Sequence, residues 1–405
     1  MPPAHRHGPA GLAASSRPRW EVADVFSLHG QAFRRSHPLP ASQLKIMSAI
    51  ERCRTPALGG HLEKCDSCGF ERPAYNSCRN RHCPKCQGLN KARWLQARQT
   101  EVLPVGYFHA VFTLPHELNA LILSNKRLLL KILFDAAAQT LLMFGHNNLG
   151  GKTGFIAVLH TWDQKLNAHF HLHCLVPAGA LSENNDSWIN TPENFLFPVR
   201  ALSLVFRGKY LDFLLQANAD RKLIFPGQAA QFQTQTGFSG LLARLRQKRW
   251  VVYAKPPFGG PDKVLDYLGR YTHRVAISNN RILNVENGNV TFAFRDRGDG
   301  DKRDIMALPA EEFIRRFLLH TLPAGFVRIR HFGFLANRSK KNALPLCRQL
   351  LGITPEPPVP EEKSDEELLQ ELTGKDFFRC PCCKQGAMRV VAELPKPGFT
   401  HFDSS

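Results

Sequence analysis

Residues 169–174 read His-Phe-His-Leu-His-Cys. Imidazole and apolar side chains alternate with the period of two that belongs to a strand. His169, His171 and His173 therefore leave one face while Phe170, Leu172 and Cys174 enter a core. Neutral imidazoles about 6 to 7 Å apart per pair of residues can converge on one divalent ion. Two histidines separated by one apolar residue leave coordination positions open, and an ion held that way can polarise a phosphoryl oxygen. Such a site needs a nucleophile.

Working outward, Phe155–Leu159 reads as a second strand, joined to His169–Val176 by a nine-residue connection suited to antiparallel neighbours. Tyr107–Leu114, stopped by Pro115, and Arg249–Ala254 read as further strands. Ile282–Val285 and Val290–Phe294 flank Asn287-Gly288, a hairpin signal. Glu117–Met143 reads as one or two helices and Phe313–Leu319 as another. A further helix starts at Pro261 with Val264, Leu265 and Leu268 as apolar positions. This alternation predicts an α+β domain over about 106–350, a mainly antiparallel sheet flanked by helices.

The chain has only six tyrosines, and Tyr267 and Tyr271 stand four apart on the helix expected after Pro261. Their hydroxyls would share one face about one turn, roughly 5.4 Å, apart. Arg270 and Arg274 beside them would favour phenolate over a phenol of pKa about 10. With the histidine strand, the pair suggests a tyrosine attacking a DNA phosphate under metal activation and leaving a covalent phosphotyrosine.

Residues 21–105 read differently. Two helices, with Val22, Val25, Phe26 and Leu28 on one and Leu44, Met47 and Ile50 on the other, lead into a cysteine-dense region where an ion would replace a core. Cys65 and Cys68 form one CxxC and Cys83 and Cys86 another, enough for one tetrahedral, structural Zn²⁺ with no open position. Cys53, His61, Cys78 and His82 lie in the same region, so a second ion or a ligand exchange stays open. Arg52–Arg98 holds ten basic residues, among them Arg79, Arg81 and Lys85 around the ligands, which reads as phosphate contact by a rigid basic module. A third CxxC, Cys380 and Cys383 with Cys382 between, lies in the tail 377–405. It shows half a site, completed by His401, by another chain or not at all.

Of 405 residues, 53 are Lys or Arg and 34 Asp or Glu, a formal charge of +19 that favours polyanionic partners. The 43% hydrophobic share excludes a disordered chain, and 11 cysteines without a secretion signal point to thiolate ligands in a reducing cytoplasm. The richest apolar stretch, Leu121–Phe134, is broken by charges, so no membrane span is expected. Residues 1–20 read as a mobile segment. Residues 351–376 read as a linker, with four prolines from Pro355 and then an acidic run, Glu361–Glu371, expected to be extended and solvated.

Three stretches resemble a known family. His171-Leu172-His173 resembles the signature of the HUH endonucleases. Tyr267–Arg274, YLGRYTHR, is similar to the paired-tyrosine motif of the rolling-circle insertion-sequence transposases, and Ser77–Gln87, SCRNRHCPKCQ, to the zinc-binding region that precedes their transposase domain. Tyr107–Pro115, Phe206–Lys209 and Arg328–Arg338 extend the likeness, which runs from about Trp20 to Leu351. The resemblance implies an HUH-like fold and Mg²⁺ or Mn²⁺ as the catalytic ion. It further implies single-stranded transposon ends and target DNA as partners, with two successive transesterifications through Tyr267 and Tyr271. Which tyrosine attacks first, and whether the chain forms a homo-oligomer, stays open. A third metal ligand is implied, with Asp163, Gln164, His169 and His273 as candidates. The same chemistry would serve a replication initiator or relaxase, and a zinc-dependent DNA-binding protein without chemistry is the remaining alternative.

Overall fold

A five-stranded antiparallel sheet carries the histidine strand at its centre in the computed structural model. The structure describes residues 18–193, 195–258, 263–265, 269, 272, 274–296, 300, 302–353, 361–374 and 376–397, without the side chains of 256–258. Helices α1 (Val22–Ser36) and α2 (Ala41–Glu51), the hairpin β1 (Gly60–Cys65) and β2 (Glu71–Tyr75), and α3 (Gln87–Gln96) come first. Then follow β3 (Tyr107–Thr113), α4 (Asn119–Ser124), α5 (Lys126–Phe144), β4 (Gly151–Lys152), β5 (Gly154–Trp162), β6 (Ala168–Pro177), β7 (Gly179–Ser182) and β8 (Trp188–Asn190). Next are α6 (Val199–Ala219), α7 (Gln235–Gln247), β9 (Val252–Phe258), β10 (Ile282–Glu286), β11 (Asn289–Asp296) and β12 (Lys302–Pro309). The chain continues through α8 (Ala310–Leu319), β13 (Ile329–Gly333), α9 (Lys340–Leu350), α10 (Asp365–Thr373) and β14 (Met388–Leu394).

The central sheet runs β13-β5-β6-β3-β9. The four strands expected from alternation all join it, and β13, which the sequence reading lacks, forms its edge. One face presents Phe108, Ala110, Phe112, Phe155, Ala157, Leu159, Phe170, Leu172 and Cys174 to α5 and α6, where they meet residues such as Leu133 and Phe206 in the main core. The other face carries Tyr107, Ile156, Val158 and Leu175, which pack with Val264, Phe334 and Leu344. Toward the far ends of β5 and β6 that second face turns from apolar to imidazole. The expected hairpin is β10–β11, with Asn287 and Gly288 at φ 51° and 74°, the left-handed pair that a two-residue turn requires.

The N-terminal helices pack against the far end of the sequence. Val25, Phe26 and Phe33 of α1 and Met47 and Ile50 of α2 bury themselves with Val290, Phe292, Phe313 and Phe317. Phe26 meets Phe317 edge to face at 5.3 Å, and the Val22 amide donates to Asn279 Oδ1 at 3.1 Å.

One sequence expectation is refined and another corrected. The segment Lys126–Leu149 is long and apolar enough by composition to cross a membrane, because its charges, Lys126, Arg127, Lys131 and Asp135, lie toward its start. In this fold 67% of its apolar window is buried, as a core helix beneath the sheet. The acidic run is helical, not extended, over Asp365–Thr373. Ser364 and Glu367 close a capping box, Ser364 Oγ accepting from the Glu367 amide at 3.2 Å and Glu367 Oε2 from the Ser364 amide at 2.7 Å, while the acids of the first turn face the positive end of the helix. Arg93 of α3 holds that helix through Asp365, donating from Nε to Oδ1 at 2.6 Å. Residues 1–17 and 354–360 lie outside the described residues.

His320, between α8 and β13, is buried with Nε2 3.1 Å from the Leu166 carbonyl, and burial pushes its pKa down to about 4. An unfolded histidine titrates near 6.5, so the unfolded chain binds this proton first as pH falls. The stabilisation is complete above about pH 6.5 and should be lost progressively toward pH 4, by roughly 3 kcal/mol from this ring. Denaturant midpoints measured between pH 7 and 4 should fall less steeply for His320→Gln; equal slopes for the two proteins would refute this role.

Candidate metal centres

Antiparallel pairing of β5 with β6 sets His160 opposite His171. The ring nitrogens of His160, His171 and His173 lie within 4.8 Å of one another, close enough to share one ion. Their ring centroids stand 5.4 Å (160–171), 4.5 Å (160–173) and 4.9 Å (171–173) apart, and all three rings are buried. His171 Nδ1 lies 3.0 Å from the His169 carbonyl. A carbonyl only accepts, so that nitrogen carries the proton and Nε2 keeps its lone pair for a cation. His173 Nδ1 lies 2.8 Å from Nε2 of His109, which comes from β3. Burial, with Lys255 second, pushes His109 down to about 4, so its ring is neutral at pH 7 and can accept from His173. The neighbours thus favour the tautomers a metal needs.

This set replaces part of the expected one. His169 is exposed and stays outside the converging group, while His160 takes its place. Partners across an antiparallel pair stand about 4.5 to 5.5 Å apart, closer than alternate residues along one strand. A register shift between His160 and Trp162 also breaks regular pairing next to His169. Of the other third-ligand candidates, Asp163 accepts from the Lys165 and Asn167 amides, both at 2.8 Å, and so closes the β5–β6 turn. Gln164 lends its carbonyl to Arg281.

Tyr267, Arg270, Tyr271 and His273 lie outside the described residues. Their described neighbours are anchored. Val264 is fully buried on the sheet face that bears the histidines, Thr272 is fully buried, and the Arg274 carbonyl accepts from Arg328 at 3.0 Å. A Cβ on Gly269 would lie 2.7 Å from Lys91 Cε, so this segment also touches α3 closely.

The cysteines form two tetrads, which splits Cys65 and Cys68 from Cys83 and Cys86 and realises the second site and ligand exchange that the spacing left open. Cys53, Cys78, Cys83 and Cys86 make one; Cys65 and Cys68 join Cys380 and Cys383 in the other. Cys65 and Cys68 sit at the tip of the β1–β2 hairpin, whereas Cys53 and Cys78 flank its open end, where Gly60 pairs with Tyr75. Five strand residues at about 3.3 Å each keep the two groups roughly 16 Å apart. In the first tetrad Cys86 Sγ lies 3.6 Å from both Cys53 and Cys78. Hydrogen bonds from Cys53, then Cys78 and Cys83, favour the Cys86 thiolate. His82 belongs to neither tetrad; it is half-buried, with Nε2 buried and unpartnered among the described residues, and desolvation beside Arg81 pushes it down to about 3. His61 meets Glu63 at 3.2 Å instead.

Of the basic residues singled out in this region, Arg81 donates to the Phe326 and Pro323 carbonyls, the latter at 2.9 Å, and Lys85 pairs with Glu21 at 2.7 Å. Both tie the cysteine module to its neighbours. Arg79 is exposed and lines a groove with Lys45, Arg52 and Lys396, while Arg274 is exposed near Arg328.

Residues 154–343 match the family model described as "Putative transposase", which begins with β5 and so contains all three converging histidines. Residues 25–114 match "Transposase zinc-binding domain". The chain is 49% identical over 378 residues to the putative transposase y4qJ of Sinorhizobium fredii, covering 92% of this chain and 94% of the relative. It is 28% identical over 362 residues to the transposase for insertion sequence element IS801 of Pseudomonas savastanoi pv. phaseolicola, covering 88% and 85%. No solved structure matches.

The geometry predicts that His160→Ala weakens Mn²⁺ binding by at least about tenfold, as His171→Ala does, and that His109→Ala weakens it about tenfold through His173. His169→Ala should leave it within about twofold, because its carbonyl remains. Titration of Mn²⁺ followed by paramagnetic resonance reads all four, and a loss confined to His169→Ala would restore the arrangement along one strand.

Proposed function

The chain belongs to the transposase family of the IS91 and IS801 insertion-sequence elements, and from that membership we propose that it nicks and rejoins single-stranded DNA at the ends of its element through a covalent 5′-phosphotyrosine. Support comes above all from the convergence of His160, His171 and His173 on one sheet face, to which Val264, three residues before Tyr267, is packed.

In this reading the Oη of Tyr267 or Tyr271 attacks the scissile phosphorus, the bond to the 3′ oxygen breaks, and the upstream strand leaves with a free 3′ hydroxyl. The downstream strand stays on the enzyme as a phosphodiester of tyrosine. Attack by a 3′ hydroxyl on that bond returns the tyrosine and joins DNA, so joining needs no ATP. Two tyrosines four residues apart in sequence would serve the two ends in turn. His160, His171 and His173 would hold a divalent ion, which when bound would polarise the phosphoryl oxygen. Three nitrogen donors suit Mn²⁺, a first-row transition ion, better than Mg²⁺, which prefers oxygen. His109 and the His169 carbonyl orient the rings of His173 and His171. Cys53, Cys78, Cys83 and Cys86 would hold a structural Zn²⁺, and the groove of Lys45, Arg52 and Arg79, with Arg274, offers phosphate contacts. A chromosomal DNA substrate places the work in the bacterial cytoplasm.

The test uses an end-sequence oligonucleotide labelled on the 3′ side of the nick, incubated with Mn²⁺ or Mg²⁺ and run on a denaturing gel. Wild type should carry the label as a covalent adduct. Tyr267→Phe with Tyr271→Phe should lose the adduct while DNA affinity changes less than about threefold. Equal labelling of that double variant would refute the assignment of the nucleophiles.

A further inference from the structure

The tail cysteines lie against the first zinc-type hairpin, more than three hundred residues away in sequence. Cys68 Sγ is 3.6 Å from Cys380 Sγ, and Cys65 Sγ is 3.7 Å from Cys383 Sγ. A disulfide needs about 2.05 Å, whereas thiolates about 2.3 Å from a tetrahedral Zn²⁺ stand about 3.8 Å from one another. All four cysteines are free of disulfides.

The backbone around the sulfurs is built in the same way twice. Ser67 and Cys68 amides point at Cys65 Sγ, and Cys382 and Gly386 amides point at Cys380 and Cys383 Sγ, each at 3.4 Å. Amide donors of this kind stabilise the anionic sulfur. Each CxxC is followed by a left-handed residue, Gly69 at φ 71° and Lys384 at φ 58°. In each the residue directly after the second Cys returns the chain: the Gly69 amide donates to the Cys65 carbonyl at 3.2 Å and the Lys384 amide to the Cys380 carbonyl at 3.0 Å. Gly386 approaches so closely that a Cβ there would lie 2.6 Å from Cys65 Sγ. Beyond the turns, β14 pairs antiparallel with β1 from Cys65↔Met388 to Gly60↔Leu394, making the order β14-β1-β2, and the Ala387 amide donates to Asp66 Oδ1 at 2.8 Å.

We propose that Cys65, Cys68, Cys380 and Cys383 form a second tetrathiolate Zn²⁺ site, distinct from the Cys53 tetrad, that fastens the C-terminal strand to the N-terminal hairpin. The matched zinc-binding region ends at residue 114, so half of this site lies outside it. The site is independent of the strand-transfer reading. It leaves no open position for substrate and acts as a structural clasp.

Three exposed or part-exposed sulfurs make the test specific, because Cys68 is exposed yet a ligand, Cys383 is half-buried yet a ligand, and Cys382 is exposed yet outside the set. The full chain, purified without chelator, should carry two Zn²⁺ by elemental analysis. Cys380→Ser with Cys383→Ser should carry one, and Cys382→Ser two. Brief alkylation of the wild-type protein, mapped by mass spectrometry, should modify Cys382 and spare Cys68 and Cys383 until a chelator is added. One Zn²⁺ in the wild type, two in the double variant, or Cys68 alkylated as fast as Cys382 would each overturn the proposal, and the alkylation arm does not depend on any variant folding.

Discussion

Register between β5 and β6 governs both what this molecule buries and what it presents. With His160 opposite His171, Phe155, Leu159, Phe170 and Leu172 fall beneath α5 and α6, and the imidazoles fall together on the reverse face. A slip of β6 by one residue would turn its faces over, putting His171 and His173 under the helices and Phe170, Leu172 and Cys174 on the face that bears His160. Burial of Phe155, Leu159, Phe170 and Leu172 thus fixes where the histidines stand. The same hydrophobic effect that stabilises the domain aligns its candidate ligands. The α5 helix, apolar enough to be mistaken for a membrane span, is the counterpart that makes this face of the sheet a core.

Much of that arrangement was legible in one dimension. Alternation at 107–114, 155–159 and 169–176 marks strands because a half-buried sheet imposes a period of two, and Asn287-Gly288 marks its turn because few residues tolerate two left-handed conformations. His160 was missed because the expected strand stopped at Leu159, one residue short of the pairing that brings it opposite His171. The cysteine pairing stays open in the sequence for a related reason: local spacing shows which two thiols share a turn, but not which turns meet. Hairpin length separates Cys65 from Cys83, and β14 supplies the partner from the other end of the chain. The helix at 365–373 carried its own mark, Ser364 and Glu367 three apart, which acidic composition obscured. For 199–247, where α6 and α7 lie, the apolar residues follow no stripe as clean as that of α8.

The cysteine modules do not hang from the central domain as a bead on a string. Arg81 reaches the carbonyls of 323 and 326, Lys85 meets Glu21, and Phe26 stacks edge-on with Phe317. Guanidinium and ammonium groups that read as DNA contacts are thereby committed to internal joints, and α1 and α2 share a core with β10–β12 and α8. Arg93 of α3 is likewise held, by the acidic helix α10. The net positive charge of the chain overstates what is free to meet phosphate, since part of it ties together segments far apart in sequence.

The strand β14 is synthesised more than three hundred residues after the hairpin it completes. Until its codons are read, β1 lacks this partner strand and Cys65 and Cys68 have no counterparts. A message cut short anywhere before position 380 therefore yields a chain with an unpaired strand edge and two loose thiols, features that favour aggregation and disposal. The N-terminal hairpin is thus finished only when a segment far downstream has been made.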